Sequence, residues 1–387
     1  MIPSKHEASS DFKLGLIPAV SPTLAEILRN CPLQANFYRL RDLNHFVLSN
    51  PKAWLGIAYH EVMEKLWLPI NDDDSTGEHL VEGLWTSAIT TLQQRALAHP
   101  LDSRFETPEK WPGYYLVRAC LNIRAQEALN KSSRVRSLSQ SVDATPHVRE
   151  KQLAAMGGKL IGKPDVISGE EIWDYKSGSL YDEVSEGTRV VKEGYVRQLL
   201  LYGHLVKENY GKYPVRGKLL PMQGETVEIE LEPEECAKEA VDAVHLLDSA
   251  NAKLADSTDV PAIATPSPSS CRWCKFKVVC PAFWQQVDVT WGEELGSAAV
   301  RGRLKTTPTQ IHNGQAFSLS IEVAAGTSGE KEITVAPLNK ETHRSLSEFK
   351  QGEEVRIVNL FLRRNGQLAP TNATVCYRES DCPAFSL

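Results

Sequence analysis

The 387-residue chain has no run approaching the ~18 consecutive apolar residues that a membrane span requires. Its opening, "MIPSKHEASSDFK", lacks the apolar core of a secretory signal. These two absences predict a soluble, cytoplasmic protein. A surplus of positive charge is also missing, because 43 basic against 49 acidic side chains leave a formal net charge of -6. No global field then draws the chain to a polyanion, so any nucleic-acid surface has to be local. Internal repeats are absent. One further lack removes an enzyme class. "GGKLIGKP", starting at Gly157, supplies the Gly-x4-Gly-Lys half of a phosphate-binding loop, yet Pro164 stands where the Mg2+-holding Ser or Thr belongs. The residues after it read as strand, not as the helix whose N-terminus would cradle phosphate. An ATPase is excluded here, and a motor, if one is needed, is a separate chain.

With 42% hydrophobic and 24% charged residues, the chain suffices for one large domain and a smaller one. "SPTLAEILRNCPLQANFYRL" predicts a helix capped by Ser21, with Pro22 in its first turn and a break at Cys31-Pro32. "WLGIAYHEVMEKLW" predicts a second helix, "NDDDSTGEH" a loop, and residues 84–98 and 111–130 two more helices by their apolar period. The texture then turns to strands, "KLIGKPDVIS" and "EIWDYKSG", joined by a tight turn at Gly169-Glu170. A helix around "VRQLLLYGHLVKENYG", a hairpin "VRGKLLPMQGETVEIEL" and a helix near 233–255 complete an α/β core. Residues 255–270, "ADSTDVPAIATPSPSS", are too rich in Pro and Ser for helix or central strand. Beyond residue 291 five short strands are expected, from "RGRLKT", "AFSLSIEV", "KEITVAPL", "EEVRIVNLFLRR" and "TNATVCYRE", with Asn365-Gly366 as a hairpin turn. They suggest a small β-barrel such as an OB-fold.

The eight cysteines are Cys31, Cys120, Cys236, Cys271, Cys274, Cys280, Cys376 and Cys382. In a long chain without an export signal, clustered thiols suggest metal and scattered ones suggest core. Only "CRWCKFKVVC" is a cluster.

"DVISGEEIWDYKSG" poses the main question, because a strand that looks buried carries charges. Asp174 and Lys176, two apart on a strand, share one face, while Trp173 and Tyr175 take the other. Asp165 can reach the charged face across the turn. Two carboxylates and a lysine make a site for Mg2+ and phosphodiester hydrolysis, with Lys176 orienting the nucleophile or stabilising charge on phosphorus. The same residues also suit a solvated surface ion pair. Gln198 and Tyr202, four apart on a helix, could brace the lysine or grip a phosphate. His60 stands one turn past Gly56 on its own helix.

In this order, "GIAYH", "GKPDVIS…IWDYKSG" and "QLLLY" resemble the PD-(D/E)XK nuclease superfamily, in its RecB-like branch. Cys31 with Cys271-x2-Cys274-x5-Cys280 is similar to the iron-sulfur subgroup of that branch, which includes AddB and the CRISPR adaptation nucleases. The resemblance implies an α/β fold with a restriction-endonuclease-like core over residues 1–285 and a helical N-terminal part. The strand pattern adds an all-β OB-like domain over 292–387, a departure from minimal members of the family. By position the resemblance implies that Cys31, Cys271, Cys274 and Cys280 ligate a 4Fe-4S cluster. It also implies that His60, Asp165, Asp174 and the carbonyl of Tyr175 bind Mg2+ or Mn2+, with Lys176 catalytic. A four-cysteine zinc site is the alternative, disfavoured by the lack of a second Cys-x2-Cys knuckle.

The expected activity is a metal-dependent deoxyribonuclease, by preference an exonuclease, acting on single-stranded DNA or DNA ends in repair, recombination or defence against foreign DNA. The rivals are a non-catalytic DNA-end scaffold of a helicase–nuclease assembly and a zinc-stabilised RNA-processing nuclease. Lys176 is expected at a rim, where its loss costs little stability. From residue 292 onward 11 basic and 11 acidic residues balance, so Arg363, Arg364 and Phe361 would have to contact DNA specifically, or the domain docks a protein such as a separate helicase.

Overall fold

The computed structural model describes residues 11–66, 77–138, 147–149, 151–183, 189–292, 297–363 and 367–387. Part of the acidic loop, Arg364 and the Asn365-Gly366 turn lie outside them.

A short strand, β1 (Asp11–Lys13), precedes helices α1 (Pro22–Asn30) and α2 (Pro32–Arg39). Ser21 accepts the Leu24 N–H and so caps α1. Cys31 is extended and ends that helix, and Pro32, fixed at a helical φ, opens the next. Three further helices follow: α3 (Pro51–Lys65), α4 (Gly77–Ala98) and α5 (Tyr114–Leu138). Helix α4 begins earlier than its apolar period indicated, at Gly77 rather than near residue 84.

Next come β2 (His147–Arg149), β3 (Leu153–Ala155), β4 (Leu160–Gly162), β5 (Val166–Ser168), β6 (Glu171–Lys176), β7 (Tyr181–Glu183) and β8 (Arg189–Val191). Gly157 and Gly158, both at positive φ, lie in a turn that leads into strand β4, so the glycine-rich stretch is no phosphate loop. Strands β5 and β6 pair with Ser168 opposite Glu171, and Gly169 supplies the left-handed φ of +59° that the two-residue turn needs. Helix α6 (Glu193–Tyr210), β9 (Arg216–Pro221), β10 (Val227–Glu230) and α7 (Pro233–Asp256) finish the core. The five-stranded sheet runs β10-β9-β6-β5-β2, with β6 and β9 parallel at its centre and the other pairs antiparallel.

This sheet divides two buried layers. Ile167, Ile172 and Leu219 pack with Leu199 and Leu205 of α6, Leu247 of α7 and Leu28 of α1. Val166, Trp173 and Tyr175 pack on the other side with Leu55 and Tyr59 of α3, Trp85 of α4 and Leu121 of α5. The alternation of a strand thus turns Asp174 and Lys176 toward α6, and Trp173 and Tyr175 toward α3.

The Pro/Ser-rich stretch yields one short helix, α8 (Pro268–Arg272), started by the Ser267 side chain accepting the Ser270 N–H. Helix α9 (Pro281–Gln286) follows. The remaining strands are β11 (Ala298–Leu304), β12 (Thr309–Ile311), β13 (Ala316–Gly326), β14 (Glu332–Asn339), β15 (Glu354–Leu362), β16 (Leu368–Arg378) and β17 (Ala384–Ser386). The order β11-β15-β16-β14-β13 closes through a β11–β13 pairing, and β14 runs parallel to β16. Five strands close the barrel and β12, which local pattern did not announce, adds a sixth beside β13; the closed arrangement with one crossover fits an OB-like barrel. The two ends of the chain meet, since β1 pairs in parallel with β17. Phe12, Leu33, Phe37 and Phe276 share one buried cluster with Ala299, Val358 and Val375 of the barrel.

Candidate functional site

On the α6 side of the central sheet, four of the residues singled out from the sequence form one hydrogen-bonded row. Lys176 Nζ stands 2.5 Å from Asp174 Oδ2. It also donates to Gln198 Oε1 at 2.7 Å. The Gln198 amide nitrogen donates to the Tyr202 hydroxyl at 3.1 Å and to Asp174 Oδ1 at 3.4 Å. Gln198 and Tyr202 face the strand together because they are one turn apart on α6. Tyr195, a turn earlier, places its ring 4.5 Å from Lys176 Nζ. Burial, with Asp174 and Asp182 nearby, raises the Tyr195 hydroxyl above its usual range and keeps it neutral. Tyr195 was missed in the sequence, although its spacing of three to Gln198 and seven to Tyr202 marks it as part of the same stripe.

The row is not at a rim. The side chain of Asp174 is 3% exposed and that of Lys176 12% exposed, so the expectation of an easily spared ammonium is corrected. The strand end lies under α6, and the aromatic ring of Tyr195 covers the lysine. A solvated surface ion pair is equally inconsistent with that burial.

Asp165 and His60 stand on the α3 side. Asp165 Oδ2 accepts the Tyr175 N–H at 2.7 Å and lies 3.6 Å from His60 Nδ1. Asp165 therefore reaches the backbone between Asp174 and Lys176 rather than the charged face itself. The His60 ring centroid is 6.5 Å from that of Tyr175. Gly56 explains how α3 comes this close, since a Cβ there would meet Ser177 Oγ at 2.5 Å. Among the described residues no group of three or more His, Cys, Asp or Glu is arranged to hold a single metal ion.

A second constellation joins distant parts of the chain. Cys31, Cys271, Cys274 and Cys280 line one small cavity with Leu33, Gln34, Phe37 and Phe283. Cys31 is the joint between α1 and α2, Cys271 lies in α8, and Cys280 caps α9 by accepting the Phe283 N–H at 3.4 Å. Burial, aided by the neighbouring thiols, pushes Cys274 up to about 12 and raises Cys271 and Cys280 as well. Helix α1 is tied into the core by Glu26, which accepts two bonds from Arg197 at 2.7 and 2.6 Å, and by Arg29, which donates to Glu239 at 2.5 Å. Cys120 and Cys236 are buried elsewhere.

No helix among the described residues is long and apolar enough to cross a membrane. A sequence model of the PD-(D/E)XK nuclease superfamily matches residues 19–281. A search of curated proteins finds no match. Similar solved structures include a candidate exonuclease from Eubacterium rectale, at 14% identity over 61% of this chain and 81% of that one, with a TM-score of 0.30. Another is a replication factor A related protein from Methanobacterium thermoautotrophicum, at 19% identity over 22% of this chain and 83% of that one, with a TM-score of 0.17.

Proposed function

Because the chain belongs to the PD-(D/E)XK nuclease superfamily, we propose that it hydrolyses phosphodiester bonds in DNA. The reading is a metal-dependent exonuclease of the RecB-like iron-sulfur type, acting on single strands or ends in repair, recombination or defence against foreign DNA. The observation that carries it is the buried Asp174–Lys176 pair braced by Gln198. A binding scaffold has no use for an ammonium held beside a buried carboxylate by a dedicated amide.

The donor types are those a hard divalent cation takes, while among the described residues no three His, Cys, Asp or Glu gather around one point. Asp174 Oδ2 is buried, accepts no aligned hydrogen bond and faces the Lys176 charge. Asp165, His60 and the Tyr175 carbonyl, on the α3 side of the strand, are the further ligands proposed for Mg2+ or Mn2+. Such a cation supplies Lewis-acid polarisation of the scissile phosphate and acidifies water. The chain's own contribution is orientation. Lys176 has three N–H donors; two face Asp174 and Gln198, and the third serves the attacking water or a phosphate oxygen whose charge grows in the transition state. Gln198 fixes the direction of that ammonium, Tyr202 fixes the amide of Gln198, and Tyr195 keeps bulk water from one side. Asp165 is held in place by the Tyr175 N–H.

Cys31, Cys271, Cys274 and Cys280 would hold the 4Fe-4S cluster. Four thiols around one cavity are the right donor set, and a metal would take the place of their protons. The cluster supplies a staple between α1–α2 and the end of the core. A separate helicase or other protein subunit is the partner proposed for the barrel.

End-labelled linear and circular single-stranded DNA, incubated with and without Mg2+ or Mn2+, test the activity. Metal-dependent loss of the linear substrate with intact circles is expected. No cleavage of either under any condition overturns the reading.

A further inference from the structure

Trp273 is 77% exposed, the most open of the large apolar side chains described as exposed. It sits between Cys271 and Cys274, on the outer side of the cysteine loop. The Arg272 guanidinium carbon lies 4.5 Å from the centre of its ring, which leaves the other indole face to solvent. The pattern repeats next to it. Tyr38 of α2 is 42% exposed, with Lys275 Nζ 4.9 Å from its ring centre. Tyr38 also packs edge-on against the buried Phe276 at 5.1 Å, and its partner Lys275 is two residues on from Trp273, so the two aromatic–cation pairs are neighbours on the cysteine loop. Lys275 is held there by Asn44 Oδ1 at 2.9 Å.

Charge singles out the same surface. Residues 30–42 and 259–288 carry Arg39, Arg41, Arg272, Lys275 and Lys277 against Asp42, Asp259 and Asp288, a local surplus of basic side chains in a chain whose net charge is -6. Lys277 is buried, while Arg39 and Arg41 are exposed. Open aromatic faces interleaved with basic side chains suit a polyanion that carries flat rings.

We propose that Trp273 and Tyr38, flanked by Arg272 and Arg41, form a stacking platform for single-stranded nucleic acid. The proposal rests on the nuclease reading for its ligand, and it adds a binding surface built on α2 and the cysteine loop rather than on the Asp174–Lys176 row. Unpaired bases stack on the open indole and phenol faces, and the guanidinium groups pair with the phosphates between them. Stacking is blind to sequence, so the platform grips a strand without reading it.

Fluorescence anisotropy of labelled oligo(dT) and oligo(U) of equal length, in EDTA so that nothing is cut, tests this. The two arms share bases and phosphates and differ in the 2′-hydroxyl. Trp273→Ala is expected to weaken binding in at least one arm by roughly 5- to 150-fold, the effect of losing one stacked base. Trp273→Phe should restore most of it, with melting temperature and iron content unchanged in both variants. Trp273→Ala binding both oligonucleotides like the wild type overturns the platform, as does a wild type that binds neither. Trp273-dependent binding by a protein that never cuts in Mg2+ or Mn2+ keeps the platform and removes the nuclease reading. Cleavage with binding that ignores Trp273 does the reverse.

Discussion

The ammonium of Lys176 and the Oδ2 atom of Asp174 stand 2.5 Å apart, with both side chains largely buried. Removing either charge alone leaves the other unpaired in a poor solvent, at a cost of about 3–5 kcal/mol. Lys176→Met should therefore lower the melting temperature in EDTA, and adding Asp174→Asn should recover most of that loss. A single variant as stable as the wild type would show that water reaches the pair.

Gly56 brings α3 against the end of β6, and His60 rides one turn further along the same helix. Gly56→Val should push α3 away and weaken Mn2+ binding about tenfold, the scale of losing the support of one ligand. Gly56→Ala should do less, because the Ser177 hydroxyl can rotate aside. Calorimetric titration of Mn2+ measures both.

His343 lies between two carbonyl oxygens, Asn339 O at 3.2 Å from Nδ1 and Thr374 O at 3.3 Å from Nε2. Burial and the Arg104 guanidinium outweigh those acceptors and lower the imidazole to about 4. In the unfolded chain it titrates near ~6.5. Above that pH both states are neutral and the histidine costs nothing. As pH falls from 6.5 toward 4, the unfolded chain takes up a proton that the fold refuses, and stability drops by up to roughly 3 kcal/mol. Urea denaturation at pH 7 and 5 should show a loss that is smaller in His343→Gln.

The cysteine cluster predicts a long-range effect. Ligation would tie residue 31 to residues 271–280, and closing so long a loop is worth ~4–5 kcal/mol at most, by analogy with a disulfide. Cys31→Ala should lose iron, sulfide, colour and stability together, whereas Cys120→Ala should keep them. Iron and acid-labile sulfide per chain in anaerobic preparations decide it. One zinc per chain without sulfide would overturn the cluster and leave the Asp174–Lys176 row untouched.

Much of this arrangement was legible in the residues. The alternation of "EIWDYK" gave the faces of β6, and the spacing of Gln198 and Tyr202 gave the stripe of α6 that meets it. The two-residue turn at Gly169-Glu170 and the five barrel strands followed from local turn and strand chemistry. Burial was less legible. Nothing in the order of residues says that α6 covers Lys176, since that depends on the parallel pairing of β6 with β9, whose partners are 45 residues apart. Nor does spacing show that Asp165 bonds the Tyr175 N–H instead of joining Asp174, because a strand's backbone donors become visible only when the neighbouring chain is placed. The meeting of β1 with β17 has no local signal at all. Three-residue strands carry too little pattern to announce a partner.

The central claim is that Lys176, aimed by Gln198, acts at the scissile phosphate. Single-turnover cleavage of end-labelled single-stranded DNA in saturating Mn2+ tests it most directly, with wild type, Lys176→Met and Gln198→Ala compared below their melting temperatures. Cleavage by Lys176→Met should be at least ~100-fold slower. Gln198→Ala should be slowed less, with DNA affinity nearly unchanged in both. Cleavage by Lys176→Met at the wild-type rate would contradict it.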